Sequence, residues 1–219
     1  MLMDEPFGAV DPIVRERLQN EFLRLHRTLG MTVLFVTHDI DEAIKMGTRV
    51  AVMQQGGHLA QYAPPTELLA HPANDFVSRF VGADRGLKRL SLLKVADVRV
   101  EPGVVAHVGE PARDVRRRVV EAESQWVLLL DPADAPIGWI KASQLASDDD
   151  SLQPDNVDAS SPVVHFETTL RDALSMLLTS TVQTAVVVDE RGRYAGVLTF
   201  DEIGLAFRSD PEPKPVAVA

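Results

Sequence analysis

The sequence contains no cysteine and no long apolar segment. Without thiols, disulfide scaffolds, thiolate metal sites and cysteine nucleophiles are excluded. The longest apolar run is the five residues from Trp126 to Leu130, whereas a membrane-spanning helix needs roughly 20. We therefore expect the chain not to span a membrane by itself. The start is not typical of a secretory signal either, because Met1 to Met3 is followed at once by Asp4 and Glu5.

A surplus of basic side chains is also missing. The 219 residues include 32 acidic and 22 basic side chains, for a formal net charge of −10. This balance argues against a general nucleic-acid binder, which needs a basic face, so we expect no nucleic acid duplex as partner. The charge is unevenly placed, since residues 1–94 are neutral overall and residues 95–219 carry the whole surplus. Two parts are indicated, with the polar, glycine-bearing segment Gly82 to Arg89 predicted as a linker between them.

The second part contains an internal repeat at a constant offset of 58 residues. The matched pairs are Arg113-Asp114 with Arg171-Asp172, Gln125 with Gln183, Asp131 with Asp189, and Gly138 with Gly196. Each copy is predicted to form a helix, a short buried strand ending in Asp, a turn, a second strand and a helix start. Two such units usually pack face to face, and chance similarity of two αβ segments is the alternative. The polar stretch 147–156 separates the copies, and residues 209–219 are predicted to be a loose tail.

The two copies resemble CBS domains, small βαββα modules that occur in tandem and often hold adenine nucleotides between the copies. In that family a Gly, two apolar residues, a Thr or Ser and an acid three places on face the ribose and phosphate. The second copy retains Thr199 and has Glu202 at the acidic position, whereas the first copy has Lys141 and Gln144. The resemblance implies an adenine-nucleotide site at Thr199 and Glu202. A pair that only dimerises or docks on another subunit is the alternative.

In the first part, two strand ends carry polar side chains. Met1 to Met3 is the tail of an apolar strand that ends in Asp4 and Glu5. The β-branched run Thr32 to Val36 is consistent with a buried parallel strand, and His38 follows it. In an open α/β sheet, ligands bind just beyond the carboxyl ends of the strands. We therefore expect the acid pair and the imidazole on the same edge.

A helix is predicted between these strands. Asp11 suits the N-cap and Pro12 the first helical position, because the first-turn amides lack partners. Gly30 is placed to end the helix. Apolar residues recur at helical spacing along it, at Val14, Leu18, Phe22, Leu25 and Leu29.

Together these motifs resemble the C-terminal part of an ABC transporter ATP-binding subunit. The matching segments are Leu2 to Pro12, Thr32 to Ala43, Arg49 to Met53 and Gly57 to Ala63. They correspond in order to the Walker B strand with the D-loop, the switch histidine and the terminal hairpin. A tandem CBS pair behind such an ATPase is similar to the ATP-binding subunits of importers for glycine betaine, carnitine, choline or proline.

The resemblance implies a role for individual residues. Asp4 would hold the magnesium ion that accompanies ATP, normally through water. Glu5 would polarise the attacking water, and His38 would contact the γ-phosphate. Asp11 would lie in the D-loop, which crosses to a second ATPase subunit. Further implied partners are transmembrane permease subunits and a CBS-mediated homodimer, with the chain cytoplasmic and peripheral on the inner face of the membrane.

Three ATPase motifs of the family are absent from the sequence. None of the five lysines is followed by Ser or Thr, so there is no phosphate-binding Gly-Lys-Ser/Thr loop. The Q-loop glutamine and the Leu-Ser-Gly-Gly-Gln signature are missing as well. We expect the larger share of the ATPase domain to be absent, with apolar faces and sheet edges left open. The chain alone is therefore predicted to be inactive as an ATPase.

The fold class that follows is α/β, a partial P-loop NTPase sheet with helices followed by two α+β CBS domains. The domain boundaries we expect are 1–86 for the ATPase portion, 87–150 and 151–208 for the CBS domains, and 209–219 for the tail. The predicted function is a truncated ATP-hydrolysing subunit of an importer for quaternary-amine osmoprotectants, with CBS-mediated regulation. The alternatives are a non-enzymatic CBS nucleotide sensor or docking module with a vestigial ATPase segment, and a chain without function.

Overall fold

The computed structural model describes residues 1–145, 151–157 and 160–208. The predicted tail, 209–219, and most of the acidic part of the segment between the copies lie outside these residues. The described chain divides into two compact units, residues 1–89 and 90–208.

The first unit combines two pairs of strands with several helices. Its strands are β1 (Leu2–Asp4), β2 (Leu34–Val36), β3 (Val50–Gln54) and β4 (His58–Ala63). Its helices are α1 (Pro12–Leu29), α2 (Ile40–Met46), α3 (Pro65–Ala70), α4 (Asp75–Val81) and α5 (Arg85–Leu90), the last of which crosses the unit boundary. The strands form a parallel pair, β1 with β2, and an antiparallel hairpin, β3 with β4.

Helix α1 begins and ends as the sequence predicts. Asp11 is its N-cap and accepts a hydrogen bond from the Ile13 amide, and Pro12 is the first helical residue. Gly30 ends the helix with φ 61°, a left-handed conformation that costs glycine little.

The β3–β4 hairpin supports the core of the first unit. Gly56 and Gly57 make the turn with φ near 80°, a conformation that glycine adopts at little steric cost. Helices α3 and α4 contact β4. The buried apolar side chains of these four elements are Val50, Val52, Ala63, Leu68, Leu69, Val77 and Val81.

The prediction that Thr32 to Val36 forms a buried strand is wrong in its bounds and its burial, because the strand is only Leu34–Val36 and none of residues 32–36 is buried. Strand β2 does pair in parallel with β1, but Leu34 is 64% exposed and Val36 is 45% exposed. Leu2, on β1, is exposed as well. A parallel strand is buried only where helices cover both faces of its sheet, and residues 1–89 do not supply those layers here.

The prediction of a linker from Gly82 to Arg89 also needs correction, because α5 occupies its second half. Lys88 fixes this segment. Its ammonium donates to the Val81 carbonyl at 3.0 Å and lies 3.3 Å from both Asp41 and Asp84. Lys88 is mostly buried, so these contacts hold the helix against α2 and α4.

The second unit repeats one set of elements. The first copy comprises β5 (Val105–His107), α6 (Ala112–Glu121), β6 (Trp126–Leu130) and β7 (Pro136–Lys141). The second comprises β8 (Val163–His165), α7 (Leu170–Thr179), β9 (Thr184–Val188), β10 (Tyr194–Thr199) and α8 (Phe200–Arg208). Every strand and the first helix recur at 58 residues, which confirms the repeat. In each three-stranded sheet the middle strand pairs in parallel with the first and antiparallel with the third.

The two copies exchange the segments that precede them. Leu90 and Val95 are buried in the core of the second copy, where Leu170 donates its amide to the Leu93 carbonyl at 2.8 Å. Reciprocally, Leu152 is buried in the core of the first copy and its amide donates to the Glu110 carbonyl at 3.0 Å. The segment that precedes the first copy therefore completes the core of the second copy, and the segment that precedes the second copy completes the core of the first. The domain boundaries drawn on the sequence remain a prediction.

A third apolar cluster joins the two sheets. Its buried members come from both copies and are Leu128, Leu130, Trp139, Val186, Val188 and Val197. At its edge, Tyr194 donates its amide to the Asp134 carbonyl, and Val197 and Glu101 exchange two backbone hydrogen bonds. The face-to-face packing predicted from the repeat is thus observed.

The mixed α/β class with two α+β repeats is confirmed by this architecture. Among the described residues, none of the helices combines the length and the apolar character needed to cross a bilayer.

Repeat-related positions allow a matched test of the cores. Ile140 and Leu198 are equivalent residues with no exposed surface. Replacing either with Ala should lower the free energy of unfolding by about 2–5 kcal/mol, because lost burial adds to a cavity. Urea denaturation of the full chain measures this.

The control uses another equivalent pair, Val120 and Leu178, which are about 70% exposed. Replacing either with Ala should change the free energy of unfolding by no more than about 0.5 kcal/mol. If substitutions at the exposed pair and at the buried pair lowered the free energy of unfolding equally, this would contradict the observed packing.

Candidate functional site

The polar ends of β1 and β2 meet at one edge of the first unit. The parallel register places Asp4 opposite Val36. Glu5 and His38 follow these strands, and the Glu5 amide donates to the Val36 carbonyl at 2.9 Å. The expectation of an acid pair and an imidazole on the same edge is met in the geometry.

Glu5 and His38 are in direct contact. The Nδ1 atom of His38 lies 2.7 Å from Glu5 Oε1 and 2.6 Å from Oε2, and the His38 amide donates to Oε1 at 3.1 Å. An ionised carboxylate only accepts hydrogen bonds, so Nδ1 must carry the proton. In a neutral ring Nε2 is then the acceptor, and only the imidazolium donates from both nitrogens.

Glu5 adopts an uncommon backbone conformation. Its φ is +46°, in the left-handed region that non-glycine residues rarely occupy. Such a residue costs of order 1–3 kcal/mol and persists only where its surroundings hold it. Here the strand hydrogen bond to Val36 and the bidentate contact with His38 hold it.

The hydrogen bond from His38 to Glu5 raises the pKa of the imidazole above its ordinary value of 6.5, and the charge of Glu5 adds to the effect. The carboxylates of Asp39 and Glu42 raise it further, while desolvation opposes them. The side chain of His38 is 79% exposed, so water and salt screen these interactions.

Asp4 and Asp11 are the other two predicted site residues of the first unit. Asp4 is an exposed carboxylate at the end of β1. Asp11 is also exposed, and its side chain caps α1. Within the described ranges, no group of three His, Asp or Glu side chains is arranged to hold a metal ion. One exposed carboxylate still fits magnesium bound with nucleotide, because that ion keeps several waters and takes phosphate oxygens.

Sequence reasoning missed a buried polar cluster behind His38. Glu42 is 5% exposed, and its carboxylate accepts hydrogen bonds from Thr37 Oγ1 at 2.8 Å and Gln19 Nε2 at 3.2 Å. The spacing of Asp39 and Glu42 is that of a helix capping box, which indicates a helix start but not a buried glutamate. Asp39 does cap α2, but Glu42 points inward.

In the second unit, Thr199 and Glu202 contact each other. The Thr199 amide donates to Glu202 Oε2 at 2.9 Å, and its hydroxyl also donates to that oxygen. The pair thereby caps the start of α8. In the first copy Lys141 occupies the position of Thr199, with its ammonium 5.5 Å from the centre of the Trp126 ring. The two copies therefore present different chemistry at equivalent positions.

Comparison with known proteins gives a consistent result for both units. The family model described as CBS domain matches residues 157–207. The osmoprotectant import ATP-binding protein OsmV of Salmonella typhimurium is 42% identical over 204 residues, covering 93% of this chain and 53% of that protein. The glycine betaine/carnitine/choline transport ATP-binding protein OpuCA of Bacillus subtilis is 33% identical over 202 residues, covering 91% of this chain and 53% of that protein.

The chain spans about half the length of these curated relatives. Among solved structures, the CBS-pair protein CBSX2 of Arabidopsis thaliana is 21% identical with a TM-score of 0.46, covering 52% of this chain and 93% of that one. A likeness of this size says nothing about function.

The Glu5–His38 contact makes a specific pH dependence testable. Because the pKa of His38 is raised on folding, the charged imidazolium stabilises the folded chain at pH values below the ordinary pKa of 6.5. This contribution to the free energy of unfolding is lost as the pH rises through the raised pKa. NMR titration of the ring protons should show this raised pKa, and Glu5→Gln should return it toward 6.5.

Glu21→Gln is the matched control, since Glu21 is exposed on α1 and pairs with Arg24 instead. It should leave the His38 titration unchanged. A His38 pKa at or below the ordinary value in the unmodified chain would contradict the observed contact.

Proposed function

We propose that the chain supplies the Walker B, D-loop and switch-histidine portion of an ATP-binding subunit of an osmoprotectant ABC importer, because it is 42% identical to one such subunit over 93% of its own length. The solutes would be quaternary amines such as glycine betaine. The observation that carries this proposal is the Glu5–His38 contact at the adjoining ends of β1 and β2.

The proposed roles follow from the chemistry of each side chain. Magnesium, when bound with ATP, neutralises charge on the phosphates. Asp4 would hold it through water, as its exposed carboxylate allows. Glu5 would accept a hydrogen bond from the attacking water and orient it toward the γ-phosphate. His38, protonated on Nδ1 by its contact with Glu5, would present Nε2 to that phosphate and donate from it as the imidazolium.

The exposed apolar surface of the first unit supports a longer parent protein. One sheet and one helix bear large apolar side chains in solvent, namely Leu2, Ile13, Val14, Leu18, Leu25, Leu29, Leu34 and Val36. Exposed apolar patches of this kind mark surfaces that something else covers. In the parent protein, this apolar surface would be covered by the additional half of the ATPase subunit that the relatives possess.

The partners of the parent would be those of an importer. A second ATPase subunit would meet the D-loop at Asp11, and transmembrane permease subunits would hold the pair at the inner face of the membrane. The location would therefore be cytoplasmic and peripheral. The CBS pair would regulate activity, and the acidic surplus of residues 95–219 suits a contact that ionic strength screens over about 8 Å at physiological salt.

ATP turnover tests the proposal. The chain alone should show no magnesium-dependent ATP hydrolysis, because its sequence has no Gly-Lys-Ser/Thr loop and no signature motif. A chimera with the preceding part of the Salmonella relative should hydrolyse ATP, and Glu5→Gln should lower its kcat by about 10²–10⁴-fold.

Glu21→Gln in the same chimera is the control and should leave kcat unchanged. Steady ATP turnover by the chain alone that Glu5→Gln abolishes would refute its predicted inactivity. A folded chimera whose turnover is indifferent to Glu5→Gln would refute the assigned role of Glu5.

A second function is favoured by the asymmetry of the two copies. Thr199 and Glu202 are present in the second copy, where the first has Lys141 and Gln144. The CBS pair would then bind one adenine nucleotide per chain. Without such binding it would serve to dimerise or to dock on another subunit.

Calorimetry with AMP and ATP on the full chain measures this second function. Thr199→Val should weaken binding about tenfold, as expected for one lost hydrogen bond of about 1.4 kcal/mol. Lys141→Ala, at the equivalent position, should leave it unchanged. Absence of binding, or equal effects of the two substitutions, would favour the docking function.

A further inference from the structure

Glu42 is a buried carboxylate to which the proposed chemistry gives no part. It lies in the first turn of α2, four residues after His38, and is 5% exposed. Both of its carboxylate oxygens have partners: Oε2 accepts from Thr37 and Oε1 from Gln19. It therefore faces the segment that carries His38 on one side and α1 on the other.

On the first side, Glu42 holds the backbone around His38. Thr37 Oγ1 donates to Glu42 Oε2 at 2.8 Å and accepts from the Asp39 amide at 3.0 Å. One hydroxyl thus ties the residue before His38 to the residue after it and anchors both to Glu42. The His38 amide, between them, donates to Glu5. The turn from 37 to 39 is consequently held from two sides.

On the second side, Glu42 is connected to the start of α1. Gln19 donates to Oε1 at 3.2 Å, and the Nε atom of Arg15 lies 3.9 Å from the same oxygen. The Arg15 guanidinium also donates to the Val10 carbonyl at 3.0 Å. Val10 immediately precedes Asp11, so the connection reaches the loop before the helix.

Packing alone does not account for a carboxylate at this position. Burying a charge costs several kcal/mol, and an apolar side chain of similar volume is often as good or better for stability. What an apolar side chain lacks is a pair of directional acceptors. In Glu42 these two acceptors take hydrogen bonds from Thr37 and Gln19.

We propose that Glu42 is a positioning residue for His38: its carboxylate holds the Thr37 hydroxyl and with it the turn that places the His38 ring against Glu5. The role of that ring in ATP hydrolysis rests on the proposed function, whereas the placement does not. Through Gln19 and Arg15 the same carboxylate sets α1, and the loop ending in Asp11, against this turn.

The test reads the His38 ring directly in the full chain. At a pH above the pKa of His38, the contact with Glu5 keeps the neutral ring in its Nδ1–H tautomer. Ring-nitrogen chemical shifts of histidine-labelled protein report this tautomer. The exposed hairpin residue His58 serves as an internal reference, and a His38→Gln sample assigns the signal.

Two substitutions should remove the Nδ1–H signature of His38. Thr37→Val deletes the hydroxyl while keeping the shape of the side chain. Glu42→Leu deletes both acceptors. The control, Gln19→Met, removes only the hydrogen bond that Gln19 on α1 donates to Glu42, and it should lower stability without changing the tautomer of His38.

The outcomes separate positioning from a merely structural role. Loss of the signature in Thr37→Val or Glu42→Leu, with its retention in Gln19→Met, supports the proposal. Retention in the two test variants, or loss in all three, overturns it. If Glu42→Leu fails to fold, Thr37→Val decides. Since no nucleotide is present, inactivity of the chimera leaves this result intact and contradicts only the proposed function.

Discussion

The parallel pairing of β1 with β2 is the interaction on which the candidate site depends. Three residue pairs set the register, and they bring Glu5 and His38, 33 positions apart in sequence, within hydrogen-bond distance. A slip of one residue would reverse the faces on which all these side chains lie. The register is held at both ends, since the Leu34 amide donates to the Met1 carbonyl and the Glu5 amide to the Val36 carbonyl.

The second unit depends on a different constraint, which is that neither copy of the repeat completes its own core. Segment exchange supplies the missing side chains, Leu90 and Val95 to one copy and Leu152 to the other. Trp139 and Val197, equivalent residues, then meet in the cluster between the sheets. Both copies therefore contribute buried side chains to one shared cluster. Each copy also receives backbone hydrogen bonds from its exchanged segment.

The two units differ in how well they cover their apolar surface. The cores of the second unit include many side chains with no exposed area. In the first unit, α1 and the β1–β2 pair leave Ile13 and Leu34 mostly in solvent. The buried acid of that unit, Glu42, is fully partnered all the same. The first unit thus combines exposed apolar side chains with a buried carboxylate whose two oxygens both accept hydrogen bonds.

Much of this architecture follows from the sequence because it is set by local chemistry. Asp11, Pro12 and Gly30 delimit α1 through capping and backbone preference, and the 58-residue repeat fixes the order of elements in both copies. Asp4, Glu5 and His38 could be placed on one edge because parallel strands end together. The remaining features required the tertiary structure. The local pattern predicts Leu34 to be a buried strand residue and cannot predict that Glu42 is buried. Burial, however, depends on which distant surfaces meet, as they do for Glu42 against α1 and do not for Leu34.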